Sequence, residues 1–429
     1  MQPMFKMERP VKYLFSFLIL FASGHLFALE TLDEAGNPYQ GWIVKVSEDK
    51  EAQAFLDEQN IKYEELNLEF GSYLLIEKEE DFKRVKSFKF VESSSPNYLI
   101  HEYGSNVDVY DPHWRSQWGF ENTGTNNWVK GPKGEDIHAL EAWKIEKGDP
   151  YLMVAVIDSG IDLSHPDLKQ NIFINDAELN GQSGIDDDGN GLIDDVSGWD
   201  FARDDNNPDD ELGHGTHVSG IIGATHNDIG VRGIMDKVKI LPIKFLIPGG
   251  GSTAKALVGI NYAIKMGAKI INNSWGGGGY SQAFYDAIKY ANDQRVIFVM
   301  AAGNSNSDND ASPRYPADYD LPNVLTIGAT NAHGKKASFS NFGKKSVDLF
   351  APGIQIVSTE RAGTYTWKTG TSMAAPMVSG ALGLALSKNP KMEMNQLISK
   401  IMSTTDNKDV LQEFGRAGRL NLATLLKDL

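Results

Sequence analysis

The sequence contains no cysteine among its 429 residues. Disulfide bonds and a thiol nucleophile are therefore excluded, and stability must come from packing and bound ions. Basic residues are also few, with 41 Lys and Arg against 57 Asp and Glu, for a formal net charge of -16. Such an acidic chain repels nucleic acids and anionic membranes and favours cations. We expect no nucleic-acid partner.

Long apolar runs are absent, and the one short run near the N-terminus, residues 14–21, falls short of the roughly 20 residues that span a bilayer. Basic residues precede this run and small residues follow it, ending at Ala28. That order is typical of an export signal. We predict a signal peptide over residues 1–28, a secreted or periplasmic protein, and no membrane contact once the signal is removed. The alternative is an uncleaved N-terminal anchor.

Residues 29–103 have the pattern of a small α+β domain. Apolar segments at 41–46 and 72–76 predict strands, while the charged segments 50–59 and 79–88 have helical periodicity. A loop-like composition follows, so a boundary after residue 103 is expected.

Residues 104–429 form the second predicted domain. From residue 151 onward, short apolar runs alternate with Gly-rich turns and helical segments; the runs occupy residues 152–157, 238–245, 269–274, 295–301 and 324–329. Buried strands that alternate with helices indicate a parallel sheet covered on both faces. The predicted fold class is therefore α/β, a three-layer parallel-sheet domain preceded by the small α+β domain.

Asp158 ends the apolar run VAVID, which places a carboxylate at the carboxyl edge of a buried strand. Open α/β sheets carry their binding sites at that edge. Taken alone, such an aspartate more often caps the following helix. No G-x-G-x-x-G follows the strand, which argues against a dinucleotide site.

His214 stands between two glycines in GHGTHVSG, at the start of an apolar helical stretch. Glycines on both sides allow the close backbone approach that a substrate cleft requires. His217 could suggest a metal pair, but H-E-x-x-H is absent and a packed histidine is the better interpretation.

Ser372 lies in GTSMAAP, at the head of a small-residue helix. A serine there is usually a helix cap, although the helix dipole also favours negative charge beside its hydroxyl. We expect Pro376 to fall in the first turn, where proline is tolerated. Because G-x-S-x-G is absent, the α/β-hydrolase arrangement is not supported.

Asn304, in FVMAAGNS after another strand, is ordinarily a turn residue. Its amide is nevertheless the kind of donor that stabilises a tetrahedral oxyanion in acyl transfer.

The four motifs together carry a meaning that each lacks alone. In the order VAVIDSGID, GHGTHVSG, AAGNS and GTSMAAP, the chain resembles the subtilisin-like serine peptidases from about Asp111 to the C-terminus. The resemblance implies a serine endopeptidase that acts on proteins or peptides. Its nucleophile would be Ser372, its general base His214, and its orienting carboxylate Asp158, with Asn304 in the oxyanion hole.

The resemblance also implies where the substrate binds. Its cleft would be formed by Ser274, Trp275 and Gly276 as an extended edge, and by Ala301, Ala302 and Gly303 as the wall of the pocket for the residue before the cut. Arg314 precedes a segment at the base of that pocket. It would favour an acidic residue if it points inward; a solvated side chain is the favoured alternative.

Residues 186–195, DDDGNGLIDD, match much of the calcium loop of an EF-hand. The predicted ligands are Asp186, Asp188, Asn190, the carbonyl of Leu192, Asp194 and, in place of the missing bidentate glutamate, Asp195. A solvated acidic turn is the alternative.

A second calcium loop rests on the resemblance alone. It would use the side chains of Asp111, Asp167 and Asn227 and the carbonyls of Thr225, Ile229 and Val231. Both ions would be structural, and no organic cofactor is expected.

By the same resemblance, residues 29–103 are a propeptide that assists folding and inhibits the cleft. The precursor would cut itself between Leu99 and Asp111 and release a monomeric enzyme. Three alternatives remain: an independent binding module at the N-terminus and, for the whole chain, either a catalytically silent binding protein or an esterase of another architecture.

Overall fold

Two sheets of different kinds follow one another along the chain. The computed structural model describes residues 31–33, 37–47, 49–102, 105–107, 116–126, 129–227 and 229–429. From Thr31 to the C-terminus the chain forms one compact unit. The predicted signal peptide lies outside the described residues.

The N-terminal region is built on an antiparallel sheet with strand order β5-β2-β4-β3, and β1 pairs with β2. Its elements are β1 (Thr31–Leu32), β2 (Pro38–Val46), α1 (Asp49–Glu58), β3 (Glu64–Leu68), β4 (Gly71–Ile76), α2 (Glu79–Val85) and β5 (Val91–Glu102). The two predicted strands and two predicted helices are present, although α2 ends at Val85. Strand β3 was not predicted because its EELNL sequence is mostly polar.

Both faces of this antiparallel sheet are buried. Alternate residues point to opposite faces of a strand, so Val44 and Leu74 pack against α1 and α2. Ile43 and Leu75 face the other way and join the core of the large domain. The N-terminal sheet is therefore packed between its own helices and the rest of the protein.

The large domain is built on seven parallel strands in the order β10-β11-β9-β13-β15-β16-β17. These strands are β9 (Gly148–Asp158), β10 (Trp199–Asp200), β11 (Lys237–Lys244), β13 (Ile270–Asn273), β15 (Ile297–Ala301), β16 (Val324–Thr330) and β17 (Leu349–Pro352). All five runs predicted as buried strands are in this sheet, which confirms the predicted parallel architecture.

Helices and short strands complete the large domain. The helices are α3 (Ala139–Ala142), α4 (Asp176–Leu179), α5 (His214–Gly223), α6 (Thr253–Lys265), α7 (Gln282–Asp293), α8 (Thr371–Lys388), α9 (Met394–Ser403), α10 (Lys408–Leu411) and α11 (Leu422–Lys427). The short strands are β6 (Ser105–Val107), β7 (Thr125–Asn126), β8 (Val129–Lys130), β12 (Gly251–Ser252), β14 (Trp275–Gly276), β18 (Ile356–Glu360) and β19 (Thr364–Thr369).

The alternation of side chains along β9 shows the three layers. Val154 and Val156 face the core that contains α5 and α8. Ala155 and Ile157 face the core that contains α6 and α7. Each fully buried Val or Ile side chain of this kind contributes about 1.5–3 kcal/mol to folding. The sheet thus lies between two layers of helices.

The topology makes the end of β9 the expected position of a binding site. Strand β9 lies between β11 and β13. The strands that follow it in sequence, β10 and β11, lie on one side of it and β13 lies on the other, so the strand order reverses at β9. The crevice outside the carboxyl ends of the strands at such a switch point is where α/β sheets bind ligands. Asp158 is the last residue of β9.

Candidate active site

Asp158 and His214 meet where a strand ends and a helix begins. Asp158 is the last residue of β9 and His214 the first residue of α5. The distance from Asp158 Oδ1 to His214 Nδ1 is 2.8 Å, and the two residues are only 0% and 4% exposed. The amide of Ser159 donates to the same carboxylate oxygen at 2.7 Å. A carboxylate bonded to Nδ1 sets the histidine tautomer and orients its ring.

The glycines beside His214 are explained by the packing of the protein itself, whereas the sequence analysis had explained them by a substrate cleft. Gly213 has φ +75° and caps α5 in the left-handed conformation. A Cβ on Gly215 would lie 2.1 Å from the carbonyl oxygen of Gly160. The close approach is therefore between two backbone segments of the scaffold.

His217 is a packed histidine, in agreement with the interpretation made from the sequence. It is fully buried, and its Nε2 lies 3.0 Å from the carbonyl of Ile356 and 3.2 Å from that of Thr366. Burial lowers the pKa of His217 well below its usual value. The neutral ring serves to hold α5 against β18 and β19.

Ser372 lies in the first turn of α8 and is linked twice to Ser274. Its Oγ donates to the carbonyl of Ser274 at 2.7 Å, and Ser274 Oγ donates to the carbonyl of Ser372 at 3.0 Å. Pro376 was expected in the first turn but is the sixth residue of the helix. Because a proline there has no N–H, it leaves the carbonyl of Ser372 without its helical donor. The hydroxyl of Ser274 takes that place.

Asn304, in the loop after β15, is anchored to the start of the same helix. Its Oδ1 accepts hydrogen bonds from the amide and the hydroxyl of Thr371, both at 2.9 Å. The oxygen of the Asn304 side chain is therefore tied to the residue that precedes Ser372.

Strand β5 of the N-terminal region lies between two short strands of the large domain, β14 and β12, in antiparallel pairing with each. The indole of Trp275 in β14 is buried and donates to the carbonyl of Ile157 at 2.6 Å, so only its backbone faces β5. The second edge, β12, was missed; the glycine run before Ser252 is its signal in the sequence. The partners are Trp275 with Glu102, Gly276 with His101, Gly251 with Ile100 and Ser252 with Leu99.

The predicted pocket wall is held by two buried asparagines. The carbonyl of Ala302 accepts from Asn309 Nδ2 at 3.1 Å and from Asn341 Nδ2 at 3.0 Å. Ala301 ends β15, and the amide of Gly303 donates to the hydroxyl of Thr371 at 3.1 Å. The wall is thus tied to the helix that carries Ser372.

Arg314 is partly buried, so neither of its two expected orientations describes it fully. Its amide donates to Asp318 Oδ2 at 2.5 Å, and its Nε is shielded without a hydrogen bond to any described residue. Burial raises the pKa of Asp318 to about 7, with the nearby Arg314 charge opposing the shift. The cation and the carboxyl group therefore act on one another at this position.

The loop 186–195 contains carboxylates that could hold a metal ion, and a further carboxylate, from Glu178, lies next to them. Carboxylate oxygens of Glu178, Asp186 and Asp188 all lie within 4.8 Å of one another. Glu178, in α4, is buried and accepts from the amides of residues 187, 188 and 194. Oxygen donors of this type suit calcium. Sequence analysis missed Glu178 because it precedes the motif.

The other ligands predicted for this loop have different surroundings. Asp195 is buried and turned toward the core, where the hydroxyl of Tyr262 donates to its Oδ2 at 2.5 Å. Asp194 accepts from the amide of Gly184 at 2.8 Å. The side chain of Asn190 accepts from the amide of Leu192 at 2.8 Å.

The second predicted calcium loop is described in part. Asp167 is buried, and its Oδ2 accepts from the amide of Val231 at 3.0 Å. The amide of Thr225 donates to the carbonyl of Asp167 at 2.8 Å, and Asn227 accepts from the amide of Ile229 at 3.1 Å. Asp111 lies outside the described residues.

Comparisons with known proteins identify the family of this chain. Residues 150–418 match the model of the subtilase family of peptidases. The chain is 32% identical to the thermophilic serine proteinase of Bacillus sp. (strain AK1) over 345 residues, which is 80% of this chain and 75% of that protein. It is 34% identical to thermitase of Thermoactinomyces vulgaris over 289 residues, 67% of this chain and 92% of that protein.

A solved structure has the same fold. The crystal structure of fervidolysin from Fervidobacterium pennivorans, a keratinolytic enzyme related to subtilisin, superposes with a TM-score of 0.71 at 24% identity. The similarity covers 93% of this chain and 62% of the length of that one.

Proposed function

The chain belongs to the subtilase family of serine endopeptidases, and on this premise we propose that it cleaves peptide bonds through an acyl-enzyme on Ser372. The observation that carries the assignment of roles is the buried contact of 2.8 Å between Asp158 and His214. A carboxylate in this position orients the imidazole and stabilises its protonated form. His214 is then the general base, and Asp158 orients it.

The proposed reaction begins when the Ser372 hydroxyl rotates away from the carbonyl of Ser274. Its oxygen attacks the substrate carbonyl carbon while His214 takes the proton, and His214 then returns that proton to the leaving amine. The oxyanion is stabilised by the Asn304 amide nitrogen and the backbone N–H of Ser372. Water releases the acyl group by the same steps in reverse order.

We propose that residues 29–103 are the propeptide of a self-processing precursor and residues 104–429 the peptidase domain. The position of β5 supports this, because its last residues pair with strand edges on both sides as an extended substrate would. Polar contacts at the starts of two helices add support: Asn97 accepts from the first-turn amide of Ala254 at 2.9 Å, and Ser95 bonds to Ser281 at 2.9 Å.

The register of β5 suggests a maturation site within the range expected from the sequence. Glu102 is opposite Trp275, and Trp275 directly follows Ser274, whose carbonyl is bonded to Ser372. We therefore propose that the precursor is cut after Tyr103. The Tyr103–Gly104 bond itself lies outside the described residues.

Export, calcium binding and a monomeric state complete the proposal. In the described ranges, no helix combines the length and apolarity needed to cross a membrane. The carboxylates of Glu178, Asp186 and Asp188 would hold a calcium ion that stabilises the fold and takes no part in the reaction. The substrates are proteins or peptides, with Arg314 a candidate determinant of the residue before the cut.

A fluorophosphonate probe and casein test this function together. The wild-type protein should be labelled at Ser372 and digest casein, whereas Ser372→Ala should do neither. Ser387→Ala, a part-buried serine on the same helix that bonds to Gly383, is the matched control and should behave as wild type. A silent binding protein would not be labelled, and an esterase would be labelled without digesting casein.

A further inference from the structure

Asp210 is a buried carboxylate beside the active site that the mechanism above does not use. It is 3% exposed, yet its two oxygens accept five hydrogen bonds. Burial raises the pKa of Asp210, but every partner is a donor, and donors favour the ionised form. Its neighbours therefore solvate a carboxylate, with three backbone amides and two hydroxyls as donors.

The donors come from the segments on both sides of His214. The amides of Leu212 and Gly213 each donate to Asp210 Oδ1 at 2.9 Å. The amide and hydroxyl of Thr216 donate to Oδ2 at 2.9 and 2.6 Å. One carboxylate thus holds the chain before His214 and the first turn of the helix after it.

The fifth donor connects Asp210 to the strand that carries Asp158. Ser159 Oγ donates to Asp210 Oδ1 at 2.8 Å and accepts from the amide of Gly215 at 2.9 Å. The amide of the same serine donates to the carboxylate of Asp158. Asp158 and His214 are therefore connected in two ways: by their direct hydrogen bond, and by hydrogen bonds that pass through Ser159 and Asp210.

The backbone segments around Asp210 are closely packed, so they have little room to move. The carbonyl of Gly160 would be 2.1 Å from a Cβ on Gly215, and the carbonyl of Pro208 would be 2.3 Å from a Cβ on Gly160. Three segments, at 158–160, 208–210 and 213–216, therefore approach one another at backbone distance, and Asp210 is the charged group at their junction.

We propose that Asp210 is a positioning residue for catalysis: its carboxylate, through Ser159 and the amides around His214, sets the separation and orientation of the Asp158–His214 pair. This rests on the proposed function of that pair. Because the pair must be held within a few tenths of an ångström of its working geometry, loss of one link lowers kcat about 10- to 100-fold. KM is unaffected, since Asp210 does not touch the cleft strands.

The test replaces the carboxylate by an amide of the same size. In Asp210→Asn one oxygen becomes an NH₂ group that faces N–H donors, so part of the network is lost. Asp136→Asn is the matched control, because Asp136 is likewise buried, at 5% exposed, and accepts hydrogen bonds from the amides of Asn122 and His138, away from the catalytic pair. Both variants should unfold at lower temperature than wild type.

Steady-state kinetics on a peptide substrate distinguish positioning from stability. Asp210→Asn should lose 10- to 100-fold in kcat with KM within twofold, whereas Asp136→Asn should keep both within twofold. Ser159→Ala should show a smaller loss, and combining it with Asp210→Asn should add little, because both break the same link. An Asp210→Asn enzyme with kcat within twofold of wild type overturns the proposal.

A spectroscopic measurement covers the case in which Asp210→Asn does not mature. In the Ser372→Ala precursor, the proton between His214 Nδ1 and Asp158 should give a far-downfield NMR signal. Adding Asp210→Asn should shift or broaden it, and adding Asp136→Asn should not; an unchanged signal overturns the proposal. If wild type itself is neither labelled nor active, the proposed function has failed instead.

Discussion

The contacts that dock the N-terminal region on the large domain differ in kind from those that hold the candidate active site. At the docking surface Asp286 accepts from Tyr73 at 2.7 Å and from Lys45 at 3.0 Å, with the Lys45 and Asp286 side chains 26% and 17% exposed. At the site, Asp158 is fully buried and Asp210 nearly so. Water and salt reach the first set of charges and are largely kept from the second.

This difference suits the proposed precursor, which would lose one region and keep the other intact. Partly exposed ion pairs weaken with salt and with changes of pH, while a buried hydrogen-bonded network is shielded from both. The docked region can therefore dissociate under conditions that leave the catalytic geometry unchanged. The following predictions test the two halves of this comparison, beginning with the largest effect.

Removing the oxyanion donor tests the buried half. Asn304→Ala should lower kcat about 10²- to 10³-fold, a range that itself comes from a subtilisin, because a donor aimed at developing charge acts mainly in the transition state. KM should change little. Initial rates on a peptide substrate measure both constants. Asn306→Ala, on an exposed residue two positions further along, is the control; equal rates for the two variants would contradict the role of Asn304.

Calcium should stabilise the large domain without taking part in catalysis. At an ion concentration about 100 times the dissociation constant, the gain is about 2.7 kcal/mol, or a rise of several degrees in Tm. Chelator should remove this gain from wild type, whereas Glu178→Gln should show little response to either calcium or chelator. Thermal unfolding with Glu413→Gln, an exposed carboxylate outside the loop, is the control. A wild-type Tm indifferent to chelator would count against both predicted ions.

The docking surface should respond to the loss of one carboxylate. Asp286→Asn removes the charge that receives hydrogen bonds from Tyr73 and Lys45, and a charged hydrogen bond of this kind is worth about tenfold in binding. We expect the self-processed complex of Asp286→Asn to dissociate and release active enzyme at a protein concentration about tenfold higher than the wild-type complex does. Asp293→Asn, exposed on the same helix, should behave as wild type.

The pH dependence of docking follows from the same group. Although burial acts in the other direction, hydrogen bonds from Tyr73, Gln282 and Lys45 hold the pKa of Asp286 below its ordinary value. A carboxyl group whose pKa is depressed in the docked state contributes above its undocked pKa of about 4 and loses that contribution as the pH falls further. Docking of wild type should weaken below about pH 4, and the Asp286→Asn complex should lack this component. Identical pH profiles would refute it.

Much of the fold could be predicted because its signals are local. The apolar runs of the parallel strands need no partner to be recognised, and period-two burial then follows, as Val154 and Ile157 show. The candidate catalytic residues were found through motifs that each lie within a few neighbouring positions. Strand β17, in contrast, contains only the short segment LFAP and was not predicted.

What was missed depends on contacts between distant segments. Glu178 joins the acidic loop only because its carboxylate accepts amides of that loop, and Asp210 accepts one of its five hydrogen bonds from Ser159, 51 residues earlier in the chain. Pro376 has a clear reason once Ser274 is seen to bond to Ser372, 98 positions away. Sequence spacing alone does not report such pairs, because side-chain donors and acceptors have no periodicity.

The most direct test of the central claim is the intact mass of the purified precursor before and after incubation alone. If Ser372 cuts the chain that β5 delivers to the cleft, the wild-type precursor should yield a product beginning at Gly104, and the Ser372→Ala precursor should keep its full mass. Processing of purified Ser372→Ala at the wild-type rate, or a wild-type cut away from the stretch 99–111, would contradict it.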